Sequence, residues 1–428
     1  MPPNTTTQPP QQSLLKAVLR VVSGNFLEMY DFQVYAFYAT DIARTFFPNK
    51  SAFVSLMVSL ATFGAGFLMR PLGAIVLGAY IDRHGRKQGL ILTLSLMALG
   101  ILLIACVPSY NHIGILAPLL VMSGRLIQGF SAGAELGAVS VYLSEIAPPN
   151  RRGFFVSWQS ASQQVAVVFA ALLGAALSTG LPHSEMTQWG WRIPFLVGCL
   201  LVPFLLLIRR SLQETEAFQT RKKKPDLGEL LKSIGINWRI VTLGMMMVVM
   251  TTVSFYFITS YTPTFGKHEL HLSETASLLV TVCVGLSNLF WLPVMGALSD
   301  RVGRRPLLLT FTTGTLLTSY LALTWLVHAP SFGHLLLVEL WLSFLYASYN
   351  GAMVVWLTEI MPAEARTSSL SLAYSLATTL GGFTPFIATY MIHATGNKAS
   401  PGVWLSLAAA CSLTAVLILN RQNQPNES

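Results

Sequence analysis

Five ionisable side chains lie inside apolar runs in the first half of the chain: Glu28, Asp31, Arg70, Arg125 and Glu135. A charged side chain at the centre of a membrane costs about 2.5–3.5 kcal/mol even on the mildest scale, so it is expected to have a partner or a function. Guanidinium groups can hold an anion, and carboxylates can take up a proton or another cation. The cluster therefore predicts a site for an anion and a cation in the apolar part of the molecule.

Asp31 and Arg125 are the pair best suited to couple binding of the anion to uptake of the cation. Asp31 lies three residues after Glu28, so both carboxylates share one helix face, which Tyr35 continues. Arg125 does not deprotonate in proteins and needs an anionic partner, for which Asp31 is the nearest candidate by depth. We expect Asp31 to bind a proton when an arriving substrate carboxylate draws Arg125 away. The alternatives are a static pair that fixes helix packing, and Glu28 as the coupling acid.

Glu135 is the third candidate for cation coupling. A structural ion pair between Glu135 and Arg70 agrees equally well with the sequence. Sodium coupling is also open, since Asp31, Asn25 and backbone carbonyls offer the oxygen ligands that such a cation needs.

The second half of the chain offers neutral hydrogen-bonding side chains and almost no fixed charge inside its apolar runs. The positive charge that faces an anion must then come from the first half. Gln159 and Gln163 are four residues apart, hence on one helix face, and without partners in lipid they would be costly. Helix packing is the alternative for each amide or aromatic taken singly. The predicted substrate-binding residues are Arg125, Arg70, Tyr35, Asn25, Gln159, Gln163, Asn288, Tyr256, Tyr349 and Asn350.

A loop motif with the pattern Asp-Arg-x-Gly-Arg occurs twice, at 78–87 and again at 296–305. A second repeat relates 144–152 to 358–366. The glycines permit a tight turn, and the aspartates can accept N–H bonds at a helix N-terminus or pair with an arginine. We predict a cytoplasmic gate between two similar halves; a turn that only sets topology is the alternative. The gate residues are Asp82, Arg83, Gly85, Arg86, Glu145, Arg152, Asp300, Arg301, Gly303, Arg304 and Glu359.

Composition indicates an integral membrane protein built from helices. Hydrophobic residues make up 53% of the chain and charged residues 11%, against roughly 25% charge in soluble domains. We count twelve apolar runs long enough to cross a membrane, six in each half. The predicted fold class is all-α, with two pseudo-symmetric six-helix bundles around a central pathway. The expected divisions are a tail at 1–14, a bundle at 15–209, a linker at 210–238, a bundle at 239–420 and a tail at 421–428.

The distribution of basic residues predicts the orientation. Most of the 27 Lys and Arg residues fall on the side that holds both termini, which places the termini in the cytoplasm. The net charge of +9 then reflects topology and attraction to anionic lipid, so no nucleic-acid partner is expected. The start of the chain has no signal-peptide pattern. The cysteines and histidines lack metal-ligand spacing, and no nucleophile–base set marks an enzyme, so we expect no cofactor and no resident metal.

The motifs resemble the major facilitator superfamily over nearly the whole chain. The more specific stretches GNFLEMYDF at 24–32, RPLG at 70–73, RLIQGFSAGAE at 125–135 and GWRIPF at 190–195 are similar to its metabolite:proton symporter branch. Within that branch, SWQSASQQ at 157–164 and YNGAM at 349–353 look most like the bacterial citrate–proton symporters, with tricarballylate carriers close by.

The resemblance implies uptake of a tricarboxylate, citrate first, through alternating access in the bacterial inner membrane, driven by protons or else by sodium. The pair of Asp31 and Arg125 also resembles the acid on span 1 and the arginine on span 4 of proton-coupled relatives. We expect a monomer. The alternatives are a symporter for a dicarboxylate or an osmolyte and, outside transport, a nutrient sensor that keeps a carrier fold.

Overall fold

The computed structural model describes residues 18–19, 22, 25–84, 86–133, 135–210, 228, 232, 235–361 and 366–422. The side chains of 78, 79, 81–87, 90, 135, 138, 208–210, 366–368 and 420–422 lie outside this description. All regular structure in the described residues is helical. The all-α class expected from the composition is therefore confirmed.

The helices fall into a first group and a second group along the chain. The first group comprises α1 (Asn25–Phe37), α2 (Ala39–Phe46), α3 (Ala52–Leu68), α4 (Arg70–His84), α5 (Arg86–Cys106), α6 (Leu116–Ala132), α7 (Glu135–Ile146), α8 (Arg152–Gly180) and α9 (Ile193–Arg210). The second comprises α10 (Trp238–Phe255), α11 (Glu274–Val302), α12 (Arg304–His328), α13 (Phe332–Ile360), α14 (Arg366–Gly382), α15 (Thr384–Thr395) and α16 (Pro401–Gln422). Between α10 and α11 lie two π-helical segments, Tyr256–Tyr261 and Phe265–Glu269, on either side of Thr262–Thr264.

Eight helical stretches of the described chain are long and apolar enough to cross a membrane. Three of the remaining four expected spans are each divided between two helices: α1 with α2, α6 with α7, and α14 with α15. The fourth is the unbroken α5, whose apolar stretch within the described residues is Ile91–Cys106. Proline accounts for some of the breaks. Pro71 and Pro385 each stand second in a new helix, where the missing backbone N–H forfeits no hydrogen bond.

The two groups pack against each other chiefly through α8 and α11, which lie side by side, while α3, α4 and α7 contact α14. A Cβ atom on Gly153 of α8 would collide with the backbone of Gly296 of α11, and the reverse also holds. Gly296 opens the second copy of the repeated motif, so its identity follows from a backbone-to-backbone contact. The divisions expected at 15–209 and 239–420 stay a prediction, since most of 210–238 lies outside the described residues.

The turn expected within the repeated motif is present in its second copy. Gly303, between α11 and α12, has a φ of +94°, a backbone conformation that L-residues with a side chain rarely adopt. Gly85, its counterpart in the first copy, lies outside the described residues, as do the side chains of Asp82, Arg83 and Arg86.

Candidate functional site

The pair expected between Arg125 of α6 and Asp31 of α1 is present at the centre of the first group. Arg125 Nη1 lies 3.3 Å from Asp31 Oδ2 and donates to Gln128 Oε1 at 2.7 Å. The Arg125 side chain is 0% exposed and that of Asp31 is 1% exposed. A fully buried ion pair of this kind is strongly destabilised when either partner is removed.

Aromatic rings surround the Arg125 guanidinium. Its Cζ lies 4.3 Å from the ring centroid of Phe32, 4.7 Å from that of Tyr35 and 5.2 Å from that of Phe63. The Tyr35 hydroxyl donates to the carbonyl oxygen of Ser59 at 3.3 Å. Within the described chain, Nε and Nη2 of Arg125 have no hydrogen-bond partner. A buried donor without an acceptor costs about 1–3 kcal/mol, so these two N–H groups are well prepared for the oxygens of an anion.

Arg70 at the start of α4 pairs with Glu28 of α1. Nη2 of Arg70 lies 2.6 Å from Oε1 of Glu28, and both side chains are buried. The guanidinium lies between the rings of Phe32 and Phe67, with Cζ 4.9 and 4.8 Å from their centroids. The two carboxylates on the shared face of α1 thus meet two different arginines. The Glu135 side chain lies outside the described residues.

Two of the predicted substrate ligands carry buried amides that are available to a ligand. The side-chain nitrogen and oxygen of both Asn25 and Asn350 are buried and lack partners among the described residues. Asn25 lies at the start of α1 in the first group, and Asn350 lies in α13 of the second. These two amides therefore offer recognition from both halves.

The other predicted ligands already have neighbours within the protein. Gln159 accepts a hydrogen bond from Ser160 at 2.8 Å, and the Tyr349 hydroxyl donates to the backbone oxygen of Met247 at 2.9 Å. Gln163 is buried on α8. The Tyr256 ring meets Phe67 edge-on, with centroids 5.0 Å apart. The ligand role of these four residues stays a prediction.

Two sets of hydrogen bonds that involve amide side chains connect the groups of helices across the centre. Asn288 Nδ2 of α11 donates to Gln164 Oε1 of α8 at 3.2 Å. Gln33 of α1 donates to Thr259 at 3.3 Å and accepts from Ser260 at 3.1 Å. Sequence reasoning missed Gln33. The available signal was an amide in an apolar run, which is costly without partners.

Contacts between the groups also occur at the end of the molecule that carries Thr40, His268 and His393, here called the histidine end. Thr40 Oγ1 lies 2.9 Å from His268 Nε2, and the His393 ring stacks on Phe53 with centroids 3.8 Å apart. The sequence places these histidines near one membrane face and gives no indication that they join the two halves.

At the opposite end, here called the motif end, Asp300 of α11 caps the N-terminus of α8. Its two carboxylate oxygens accept the backbone N–H groups of Gly153 at 2.8 Å and Phe154 at 3.1 Å. These N–H groups belong to the first turn of α8, where no intrahelical acceptor exists. The negative charge also suits the positive end of the helix dipole. Asp300 therefore joins the two groups as the motif predicts.

Arg304 completes the contacts at the motif end. It lies 2.7 Å from Asp300 Oδ1 and 3.0 Å from Glu359 Oε1. Beside it, a cavity of about 160 Å³ is lined by Ser144, Glu145, Arg152, Thr358 and Glu359. The predicted bridge from an arginine to Glu359 is thus made by Arg304, while Arg301 is exposed.

Replacing Asp300 with Asn should loosen the motif end. Hydrogen bonds to a charged group contribute about 1.5–3 kcal/mol, and the amide keeps at most one of these two bonds. We expect a cysteine introduced at Ser144, with the four native cysteines replaced, to react with a maleimide several-fold faster in the Asp300→Asn protein. Arg305→Gln, which changes one charge in the same loop, should leave the rate unchanged. If the two variants reacted at equal rates, Asp300 would have no role in closing the motif end.

Comparison with known proteins assigns this architecture to a family. The sugar (and other) transporter family model matches the chain twice, over residues 16–228 and 213–420, in keeping with the repeated motifs. A citrate-proton symporter of Salmonella typhi is 58% identical over 94% of this chain and 93% of its own. A citrate-proton symporter of Klebsiella pneumoniae is 60% identical over 95% of this chain and 92% of its own.

A solved structure has the same fold at low sequence identity. The xylose transporter XylE from E. coli, in a partially occluded inward open conformation, superimposes with a TM-score of 0.77 at 18% identity, covering 98% of this chain and 99% of the other. The fold is therefore that of a transporter with two helical bundles. The chain belongs to the sugar (and other) transporter family of the major facilitator superfamily.

Proposed function

We propose that this protein takes up citrate, or a closely related tricarboxylate, together with protons across the bacterial inner membrane. The observation that carries the proposal is the identity of 58% and 60% to two relatives named citrate-proton symporters, over more than nine-tenths of the chain. Carriers that share so much sequence over their full length are expected to share the residues around the cargo.

The buried guanidinium of Arg125 supports an anionic cargo. Its Nε and Nη2 groups have no acceptor in the described residues, and aromatic rings shield them from solvent. Arginine binds carboxylates through a planar fork that can make two parallel hydrogen bonds. Asn25 and Asn350 would complete the site with neutral donors from both halves.

The ion pair with Asp31 supports coupling to protons. A substrate carboxylate that recruits Arg125 competes with Asp31 for the same guanidinium, and an unpaired buried carboxylate is expected to take up a proton. Moving one charge across 100 mV is worth about 2.3 kcal/mol. A citrate trianion therefore needs several protons to enter a cell that is negative inside.

The contacts at both ends support alternating access. Asp300, itself paired with Arg304, joins the groups of helices at the motif end, while His268 and His393 join them at the histidine end. The basic residues favour a cytoplasmic motif end and cytoplasmic termini. Opening then requires these two sets of contacts to break in turn around a cargo at the centre.

Reconstitution into proteoliposomes tests the proposal. With an inward proton gradient, radiolabelled citrate should accumulate above its external concentration, and dissipating the gradient with a protonophore should abolish accumulation. A sodium gradient alone should give none. Glycine betaine and a dicarboxylate serve as matched cargoes. Entry of either one without citrate would reject the tricarboxylate assignment, and accumulation under sodium alone would reject proton coupling.

A further inference from the structure

Glu339 is a buried acid that the scheme above does not use. It lies in α13, about two turns from the histidine end, and its side chain is 0% exposed. Oε1 accepts a hydrogen bond from Thr262 Oγ1 at 2.9 Å, while Oε2 has no partner in the described part of the chain. Asp31, by contrast, has Arg125 beside it.

The basic groups around this part of α13 are held by other partners. Lys267 pairs with Glu274 at 2.7 Å, and His268 lies 2.9 Å from Thr40. His328 contacts Thr324, and His334 contacts Ser331. The hydroxyl of Tyr261 accepts from Thr389. Among the described residues, none of these groups balances a charge on Glu339.

An isolated carboxylate in such a place costs several kcal/mol, and the group avoids that cost by holding a proton. In the protonated form, Oε1 still accepts from Thr262. A proton at Glu339 therefore stabilises this closed arrangement of the helices.

The contacts around Glu339 can transmit its protonation state to the interface between the two groups of helices. Thr262 begins the short helix between the two π-helical segments, a type of distortion often found at functional sites. Ser343 lies one turn further along α13, on the same face as Glu339. It donates to Asn288 at 2.8 Å, and Asn288 bonds to Gln164 of the first group. Polar side chains thus continue from near Glu339 to the contact between the halves.

We propose that Glu339 is a second proton-binding site, located in the C-terminal half, which is loaded and emptied once in each transport cycle. The proposal rests on proton symport as proposed above. Glu339 carries one proton in addition to that of Asp31, so the net negative charge that crosses with a tricarboxylate falls by one. Each such charge is worth about 2.3 kcal/mol per 100 mV.

The test is the proton-to-citrate ratio, measured from the membrane potential and pH gradient at which net citrate flux reverses. Wild-type accumulation is established first, so failure of the symport proposal is seen separately. Glu339→Gln keeps an acceptor for Thr262 and is expected to lower the ratio by one proton per citrate, with citrate affinity within about twofold, which is under 0.5 kcal/mol. Glu339→Asp should restore the ratio, and Glu274→Gln, the matched control, should retain it. An unchanged ratio in Glu339→Gln overturns the proposal.

A second variant covers the case in which Glu339→Gln does not fold. Thr262→Val removes the hydroxyl that stabilises the ionised acid more than the neutral one. Glu339 then holds its proton to higher pH, and the alkaline limit of the pH profile of uptake should move upward. A profile identical to that of the wild type would show that Glu339 does not exchange protons during transport.

Discussion

Replacing Arg125 with Ala is expected to weaken citrate binding by about 30-fold or more. Truncating one partner of a buried, hydrogen-bonded charge pair costs about 2–5 kcal/mol, and 1.4 kcal/mol is a factor of ten in affinity. The affinity falls because the cargo loses the cation that would bind its carboxylate. Affinity can be measured by calorimetry on the detergent-solubilised protein.

Two further variants separate binding from folding in this experiment. Arg192 is half-buried, lies against Trp191 and donates to the backbone oxygens of Ala105 and Val107, so Arg192→Ala removes an equal side chain far from the site. It should leave citrate affinity unchanged. Arg125→Lys retains the charge and loses the planar fork, so its affinity should fall between those of Arg125→Ala and the wild type. Wild-type affinity in Arg125→Ala would limit this residue to helix packing.

Replacing Asp31 with Asn should abolish uphill accumulation of citrate and preserve exchange of citrate for citrate. Asn cannot carry a proton but fills the same space, and it can still accept from Arg125. Counterflow between equal pH values needs no net proton movement, whereas accumulation does. Both activities can be measured in the same proteoliposomes, with and without an imposed proton gradient.

Glu28→Gln is the matched comparison for Asp31→Asn. Glu28 lies on the same face of α1 and pairs with Arg70 at 2.6 Å. If Asp31 is the coupling acid, Glu28→Gln should still accumulate citrate. The reverse result, with accumulation lost in Glu28→Gln and normal in Asp31→Asn, would move proton coupling to Glu28.

The sequence is sufficient to predict the class of fold and the central ion pair. A low charge content and long apolar runs are typical of membrane helices. A buried Arg125 needs an acidic partner at the same depth in the membrane. Asp31 meets that need because it is the nearest acid by depth. The role of Asp300 also follows from its residue type, since a helix N-terminus needs acceptors.

The contacts that depend on the angle between helices could not be predicted in this way. Nothing in the sequence shows that Gln33 meets Thr259 and Ser260, more than two hundred residues away. The sequence offers Arg70 acids at both Glu28 and Glu135, and only the structure shows the ion pair with Glu28. His393 resembles an ordinary surface residue until Phe53 is found stacked on it.

The backbone contact between Gly153 and Gly296 has a consequence for the transport cycle. It lies at the motif end, where Asp300 of α11 accepts from the N–H group of Gly153. Two glycines let α8 and α11 come together there without any side chain between them, so the contact belongs to the surface that must part when this end opens. A methyl group at either position would hold the two helices apart and favour the form of the carrier that is open at the motif end.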